Sequence, residues 1–152
     1  KICYMENNKY YTPTIDEFHV GFEYQHKVLL DINQIEEEFY NFNYNLEDKT
    51  LEEINYAINN NWIRVKYLDQ EDIESLGWKL GILRLFNKDL TLFGLDKYPN
   101  YVLTTPIEAY EKTHIIDISR VKSVGQGLDR VFRGTIKNKS ELKRLMKQLG
   151  IK

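Results

Sequence analysis

His19 and Glu23 stand four residues apart in Phe18–His26, FHVGFEYQH, an imidazole and a carboxylate that could act as acid and base or as two ligands of a divalent metal. The stretch alternates. Phe18, Val20, Phe22 and Tyr24 fall on one side and His19, Gly21, Glu23 and Gln25 on the other, which predicts a β-strand with a buried aromatic face. Strand geometry then limits the chemistry. Alternate side chains on one face lie about 7 Å apart, so His19 and Glu23 would be separated by roughly 14 Å, too far to share a metal or to pass a proton directly. A polar sheet face is the plainer reading, and His19 and Glu23 are the only catalytic candidates that can be named. Gly21-Phe22-Glu23-Tyr24-Gln25 would hold Mg²⁺ only with alternate carboxylates, and its second such position is the neutral Gln25, a weaker ligand.

The remaining motifs do not supply a metal or a nucleophile. His19, His26 and His114 form no close-spaced ligand pair, and His114 and Asp117 should point to opposite faces of one strand. No G-x-S-x-G, phosphate-binding G-x-x-x-x-G-K-S/T, G-x-G-x-x-G or C-x-x-C occurs, so those enzyme classes have no local signature. Cys3 is the only cysteine, which excludes an internal disulfide and a thiolate metal cage. No metal and no cofactor are expected.

An anion site has better support. The segment Ser123–Arg130, SVGQGLDR, carries Gly125 and Gly127 among Arg120, Lys122, Arg130 and Arg133. Glycines let backbone N–H groups approach an anion, and the flanking cations would hold a phosphate, in a nucleotide or a nucleic-acid backbone. Lys143, Arg144 and Lys147 extend the set along the last predicted helix; a flexible turn and a solvated helix face are the competing reading. Charge is divided along the chain. Residues 120–152 contain ten Lys or Arg against Asp129 and Glu141, whereas Asp31–Glu74 has 12 acidic side chains and three basic ones, Lys49, Arg64 and Lys66. Such a split points to a binding surface, or to two halves that attract each other. The overall acidic balance, with a pI near 6.0, weakens a general nucleic-acid reading.

These side chains need a scaffold, and 152 residues with 11 Tyr and 7 Phe suit one α+β domain rich in strands. The last unit is the most explicit. Val131–Ile136 reads as a strand, and Asn138 with Glu141 as a capping box. Leu142, Leu145, Met146 and Leu149 form one helical stripe, and Gly150 with Ile151 a Schellman stop. Thr50-Leu51-Glu52-Glu53 opens another helix to about Asn59, with Leu51, Ile54 and Ile58 inward. Asp69 caps a short helix over Gln70–Leu76. Strands are expected at Val28–Ile32, Trp62–Leu68, Tyr101–Thr104 and His114–Ser119. Trp78–Phe86 and Leu90–Phe93 should form a hairpin around Asn87-Lys88-Asp89. Residues 33–49 have no clear period and are expected to be loop with helical turns, and residues 1–14 a flexible opening segment. Short connections favour a mostly antiparallel sheet. The fold expected is thus a single compact α+β domain over residues 1–152, with about three helices and a C-terminal strand–helix unit.

Glu17–Tyr24 (EFHVGFEY), Asp72–Trp78 (DIESLGW) and Phe132–Ile151 (FRGTIKNKSELKRLMKQLGI) resemble a group of small uncharacterised proteins of tailed phages and prophages of gut Bacteroidales, from about Tyr11 to Ile151. That resemblance implies a phage or mobile-element protein, acting in the cytoplasm of a bacterial host or as a virion component, and carries no assigned activity. The leading expectation is accordingly a non-catalytic accessory protein that binds a host or virion protein, without a membrane. One alternative is a nucleic-acid- or nucleotide-binding module using residues 120–152 and taking a phosphate-bearing ligand. The other is a small metal-assisted enzyme.

Overall fold

Backbone pairing and helix caps were read from a computed structural model that describes residues 9–29, 37–85, 88–94, 101–105, 113–122 and 126–151. The chain divides into two compact units, residues 1–67 and 68–152, each with its own antiparallel sheet and buried core. The α+β class and the C-terminal strand–helix unit expected from the sequence are present, with the strands shared between two sheets.

In the first unit β1 (Tyr10–Tyr11), β2 (Glu23–Leu29), β3 (Glu37–Asn43) and β4 (Ile63–Lys66) form a sheet in the order β1-β4-β2-β3. Within the segment expected to be flexible, Tyr10 and Tyr11 pair with Lys66 and Val65, and Pro13 is fully buried. A single 3-10 turn, Ile15–Glu17, is closed by Glu17, whose carboxylate accepts from the Thr14 N–H at 2.9 Å and the Tyr11 hydroxyl at 2.6 Å. The strand predicted from Phe18 begins only at Glu23. Gly21, with φ +86°, sits at the third position of a turn that the Phe22 N–H closes onto the His19 carbonyl at 2.8 Å, a position that favours glycine. The turn turns Val20 out of the core, 64% exposed, while Phe18, Phe22 and Tyr24 stay buried. Phe18 is the hub of an aromatic cluster, its ring 4.8 Å from Phe22, 5.4 Å from Tyr24 and 5.6 Å from Tyr44.

Residues expected as loop form β3, paired with β2 over seven positions from Glu23–Asn43 to Leu29–Glu37. Of the predicted Val28–Ile32 strand, Val28 and Leu29 end β2, and the rest lies outside the described residues. Helix α1 (Leu51–Asn59) starts at the predicted box: Thr50 Oγ1 accepts from Glu53 N–H at 3.2 Å, and the Glu53 carboxylate accepts from Thr50 N–H at 2.8 Å. Its buried residues are Ile54 and Ala57; Leu51, expected inward, is 48% exposed. Ile54, Ala57, Ile63 and Val65 complete the aromatic core.

In the second unit α2 (Gln70–Ser75) is capped by Asp69, whose carboxylate accepts from Asp72 N–H at 2.9 Å. A sheet follows in strict meander order: β5 (Leu80–Leu85), β6 (Lys88–Gly94), β7 (Tyr101–Thr105), β8 (Ile115–Val121) and β9 (Leu128–Thr135). Leu85 pairs with Lys88, so Lys88 and Asp89, expected in the turn, belong to the second strand of the hairpin. His114 precedes β8 with φ +51° and does not share its alternation with Asp117.

Helix α3 (Lys139–Gln148) closes this core. Asn138 Oδ1 accepts from Glu141 N–H at 2.9 Å, but Glu141 reaches back to the Lys137 N–H at 2.6 Å, one residue beyond the expected partner. At the other end the Gly150 N–H donates to Lys147 O and the Ile151 N–H to Met146 O, with Gly150 at φ +70°, which is the hydrogen-bond pair of a Schellman stop. Leu142, Leu145, Met146 and Ile151 pack with Leu68, Ile73, Trp78, Leu103, Ile116 and Ile118. The buried Trp78 indole N–H donates to Met146 Sδ at 3.3 Å, so the largest core side chain carries no stranded polar atom. Replacing it removes both volume and that contact. Trp78→Ala is expected to cost about 3–5 kcal/mol, measured as the loss of unfolding free energy in urea at an unchanged m-value. Asn138→Ala, at a cap that is itself buried (2% exposed), should cost about 1 kcal/mol.

Candidate functional site

Nine residues were expected to form one anion-binding face. Arg120 lies near the end of β8, opposite Asp129 on β9 and Tyr101 on β7, with its guanidinium 5.8 Å from the Tyr101 ring centroid. At the mouth of the hairpin the Lys122 N–H donates to Gly127 O at 3.1 Å. Gly127 has φ +78° and open space around it; Gly125 lies outside the described residues. Arg130 and Arg133 are on β9, and Lys143, Arg144 and Lys147 are exposed on α3.

The pairing of β8 with β9 decides which of these meet. Ile118 is opposite Phe132, but Ser119 is opposite Arg130, so Val131 is an extra residue in β9. Alternation in a regular strand would send Arg130 and Arg133, three apart, to opposite sides. The bulge cancels that inversion. Val131 and Phe132 both pack on the core cluster, while Arg130 joins Arg133 on the outer side, where both reach Asp117. Arg130 Nε lies 2.8 Å from Asp117 Oδ1, and Arg133 Nη1 is 3.7 Å from Oδ2; both are charge contacts, because the buried Oδ1 has no hydrogen-bond partner among the described residues. Thr104, Asp117 and Arg133 stand in one row across β7, β8 and β9.

Helix α3 packs on the other side of this sheet, against Leu103, Ile116 and Ile118. The expected face is therefore two patches, Arg130 and Arg133 outside the sheet and Lys143, Arg144 and Lys147 on the outside of the helix. Asp117 is the member that sequence reasoning missed. Its local neighbours Ile116 and Ile118 mark it as outward, but only the register with Arg133 and the bulge at Val131 reveal its partners. The arrangement can hold an anion: Asp117 is largely buried, at 19% exposed, whereas the arginine side chains are 58% and 55% exposed, leaving donors of both guanidinium groups toward solvent.

His19 and Glu23 do not form the predicted strand pair. His19 begins the turn at Gly21, its Nδ1 3.0 Å from the Glu17 carbonyl, and Glu23 opens β2. Among the described residues no group of three or more His, Cys, Asp or Glu could hold a metal.

A different histidine lines a surface pocket in the first unit. This pocket has a volume of about 440 Å³ and is bounded by His26, Lys49, Glu52, Glu53, Tyr56 and Trp62, with Ala57 at its base. Tyr56 and Trp62 meet edge to face at 5.6 Å. His26 Nδ1 lies 2.7 Å from the Lys27 carbonyl, so in the neutral ring Nδ1 carries the proton and Nε2 the lone pair. Burial, opposed by that carbonyl contact and aided by the Lys49 charge, holds the imidazole below its ordinary value of 6.5.

No protein-family model matches the chain, and no curated protein and no solved structure is significantly similar to it. Among the described residues no helix is long and apolar enough to cross a membrane.

Because the folded state favours neutral His26, the unfolded chain takes up the proton first as pH falls below 6.5. The stability that His26 contributes is fully present above that value and is lost as pH falls toward the lowered folded one. An NMR titration should give His26 a midpoint below 6.5, and His26→Gln should flatten the loss of stability between about pH 7 and pH 5.

Proposed function

We propose that this chain is a binding protein that uses the outer side of the β8–β9 ribbon to hold an acidic protein surface. The observation that carries this reading is the bulge at Val131, which places Arg130 and Arg133 side by side on Asp117. A half-exposed ion pair of this kind adds little to stability. It gathers two guanidinium groups, both more than half exposed, beside one carboxylate, so that a carboxylate partner would meet two positive charges already placed side by side. Lys122 and Arg120 are exposed at the end of the same hairpin, Arg120 opposite Tyr101 and so by alternation on the helix side of the sheet; their charge would act on such a partner only as a longer-range attraction. In the phage or mobile-element setting implied by the sequence resemblance, that partner is a host protein or another virion component.

The reading is tested by fluorescence anisotropy of the intact chain against labelled poly-glutamate and, in parallel, a labelled single-stranded oligonucleotide. Arg130→Glu with Arg133→Glu should weaken poly-glutamate binding roughly tenfold or more with the circular dichroism spectrum unchanged. Asp117→Asn should strengthen it and should lower stability by less than about 1 kcal/mol. Tighter binding of the oligonucleotide, weakened by charge reversal at Lys143, Arg144 and Lys147 instead, would move the function to α3 and a nucleic-acid partner.

A further inference from the structure

In the first unit, Tyr10, Arg64, Lys66, Gln25, Lys27, Phe39 and Asn41 lie by alternation on the sheet side opposite the buried Ile63, Val65 and Tyr24. Four of the five described cations of this unit stand on or beside that side, namely Lys9, Lys27, Arg64 and Lys66, although the chain around them is strongly acidic. Arg64 is the centre of the group. Its guanidinium carbon is 3.9 Å from the centroid of Tyr10 on β1 and 3.8 Å from that of Phe39 on β3, so rings reach it from both directions across the sheet. Its Nε–H donates to Gln25 Oε1 at 2.8 Å, and Gln25 Nε2 donates to Asn41 Oδ1 at 2.9 Å. The two terminal nitrogens have no acceptor among the described residues, and neither is a buried, unpartnered atom.

We propose that Arg64 is an anion-binding residue that receives a phosphoryl group end-on at Nη1 and Nη2. The stacking rings and the Nε bond fix the guanidinium in one orientation before any ligand arrives, so little side-chain entropy remains to be lost. They also strip water from its flat faces and leave the terminal donors as its hydrogen-bonding outlet. That end presents two parallel N–H groups at the spacing of two oxygens on one phosphorus. A dianion gains more than a single carboxylate from the full positive charge of the guanidinium fork, and Lys66 stands two residues along β4, opposite Tyr10, on the same side. The register assigns two acids to this side, Glu23 on β2 beyond Gln25 and Glu37 at the start of β3, opposite Leu29.

The test is an NMR titration of the intact chain that follows the Arg64 Nε–H resonance and the backbone amides of Arg64, Gln25 and Asn41. Inorganic phosphate, a nucleoside monophosphate and acetate are the three probes. Phosphate is expected to shift these resonances with a dissociation constant on the order of 1 mM. Tighter binding of the monophosphate would identify a nucleotide as the source of the phosphoryl group, and equal binding a free phosphate. Arg64→Lys, which keeps the charge and loses the fork, should weaken binding at least about tenfold. The absence of a shift at about 10 mM phosphate, equal shifts with acetate, or undiminished binding in Arg64→Lys would each overturn the proposal. The wild-type titration stands even if that variant does not fold. The Arg130→Glu, Arg133→Glu chain should keep the Arg64 shifts, which separates this site from the β8–β9 surface.

Discussion

Opposite Ile118 and Ser119 the partner strand has one residue more than the register needs, and that residue, Val131, allots the side chains of β9 to the two sides of the sheet. Toward the core it gives Val131 and Phe132 in succession, beneath a helix whose own apolar stripe is Leu142, Leu145 and Met146. Toward the outside it gives Arg130 and Arg133. A regular strand would have had to bury one arginine or turn Phe132 outward, and an unpaired buried charge is among the costliest groups in a protein. Gly134 fits the same arrangement. A Cβ there would come within 2.8 Å of the Phe132 ring, so the ring lies over a position that only a residue without a side chain can leave open.

The first unit solves the opposite problem. Its core is aromatic, with Phe18 touching Phe22, Tyr24 and Tyr44, and among its described residues one α-helix, of nine residues, packs on it. Among the described residues the sheet's other side is fastened by side chains that reach from strand to strand. Tyr10, Arg64, Gln25 and Asn41 come from β1, β4, β2 and β3 in turn, so one chain of stacking and hydrogen bonds crosses the sheet in its spatial order. Amide and guanidinium groups suit this place because they are polar enough to meet water and flat enough to stack.

What the sequence made legible was local. Thr50, Asp69 and Asn138 each cap a helix three residues away, and Gly150 stops α3 through bonds that span five residues at most. Patterns that depended on pairing were harder. Phe18–His26 satisfies a two-residue period almost as well as a true strand, and one glycine with positive φ was enough to turn its first half into a corner. β3 went unread because aromatic residues occupy both of its sides, Phe39 on one and Tyr40 and Phe42 on the other, so no period appears. The basic segment was visible as a count of charges, but counting cannot show on which side of a sheet a charge stands. Arg64 looked like a stray cation in an acidic stretch. Its partner Gln25 is 39 residues away, and nothing in the intervening chain announces the contact.

The order β1-β4-β2-β3 also leaves the first sheet with two very different margins. On one, a strand of only two residues covers part of β4, and the Tyr67 N–H finds the Lys9 carbonyl just beyond it. A stub that short offers an incoming chain almost no ladder to extend. On the other margin β3 runs for seven residues with Tyr40 and Phe42 exposed, the composition of a segment that would recruit a second copy of itself. Two glutamates, Glu37 and Glu38, begin that strand, and two like-charged strands brought together there would repel. Among the described strands β3 is the last on that side, and acidic residues at its start disfavour pairing with a second copy of itself.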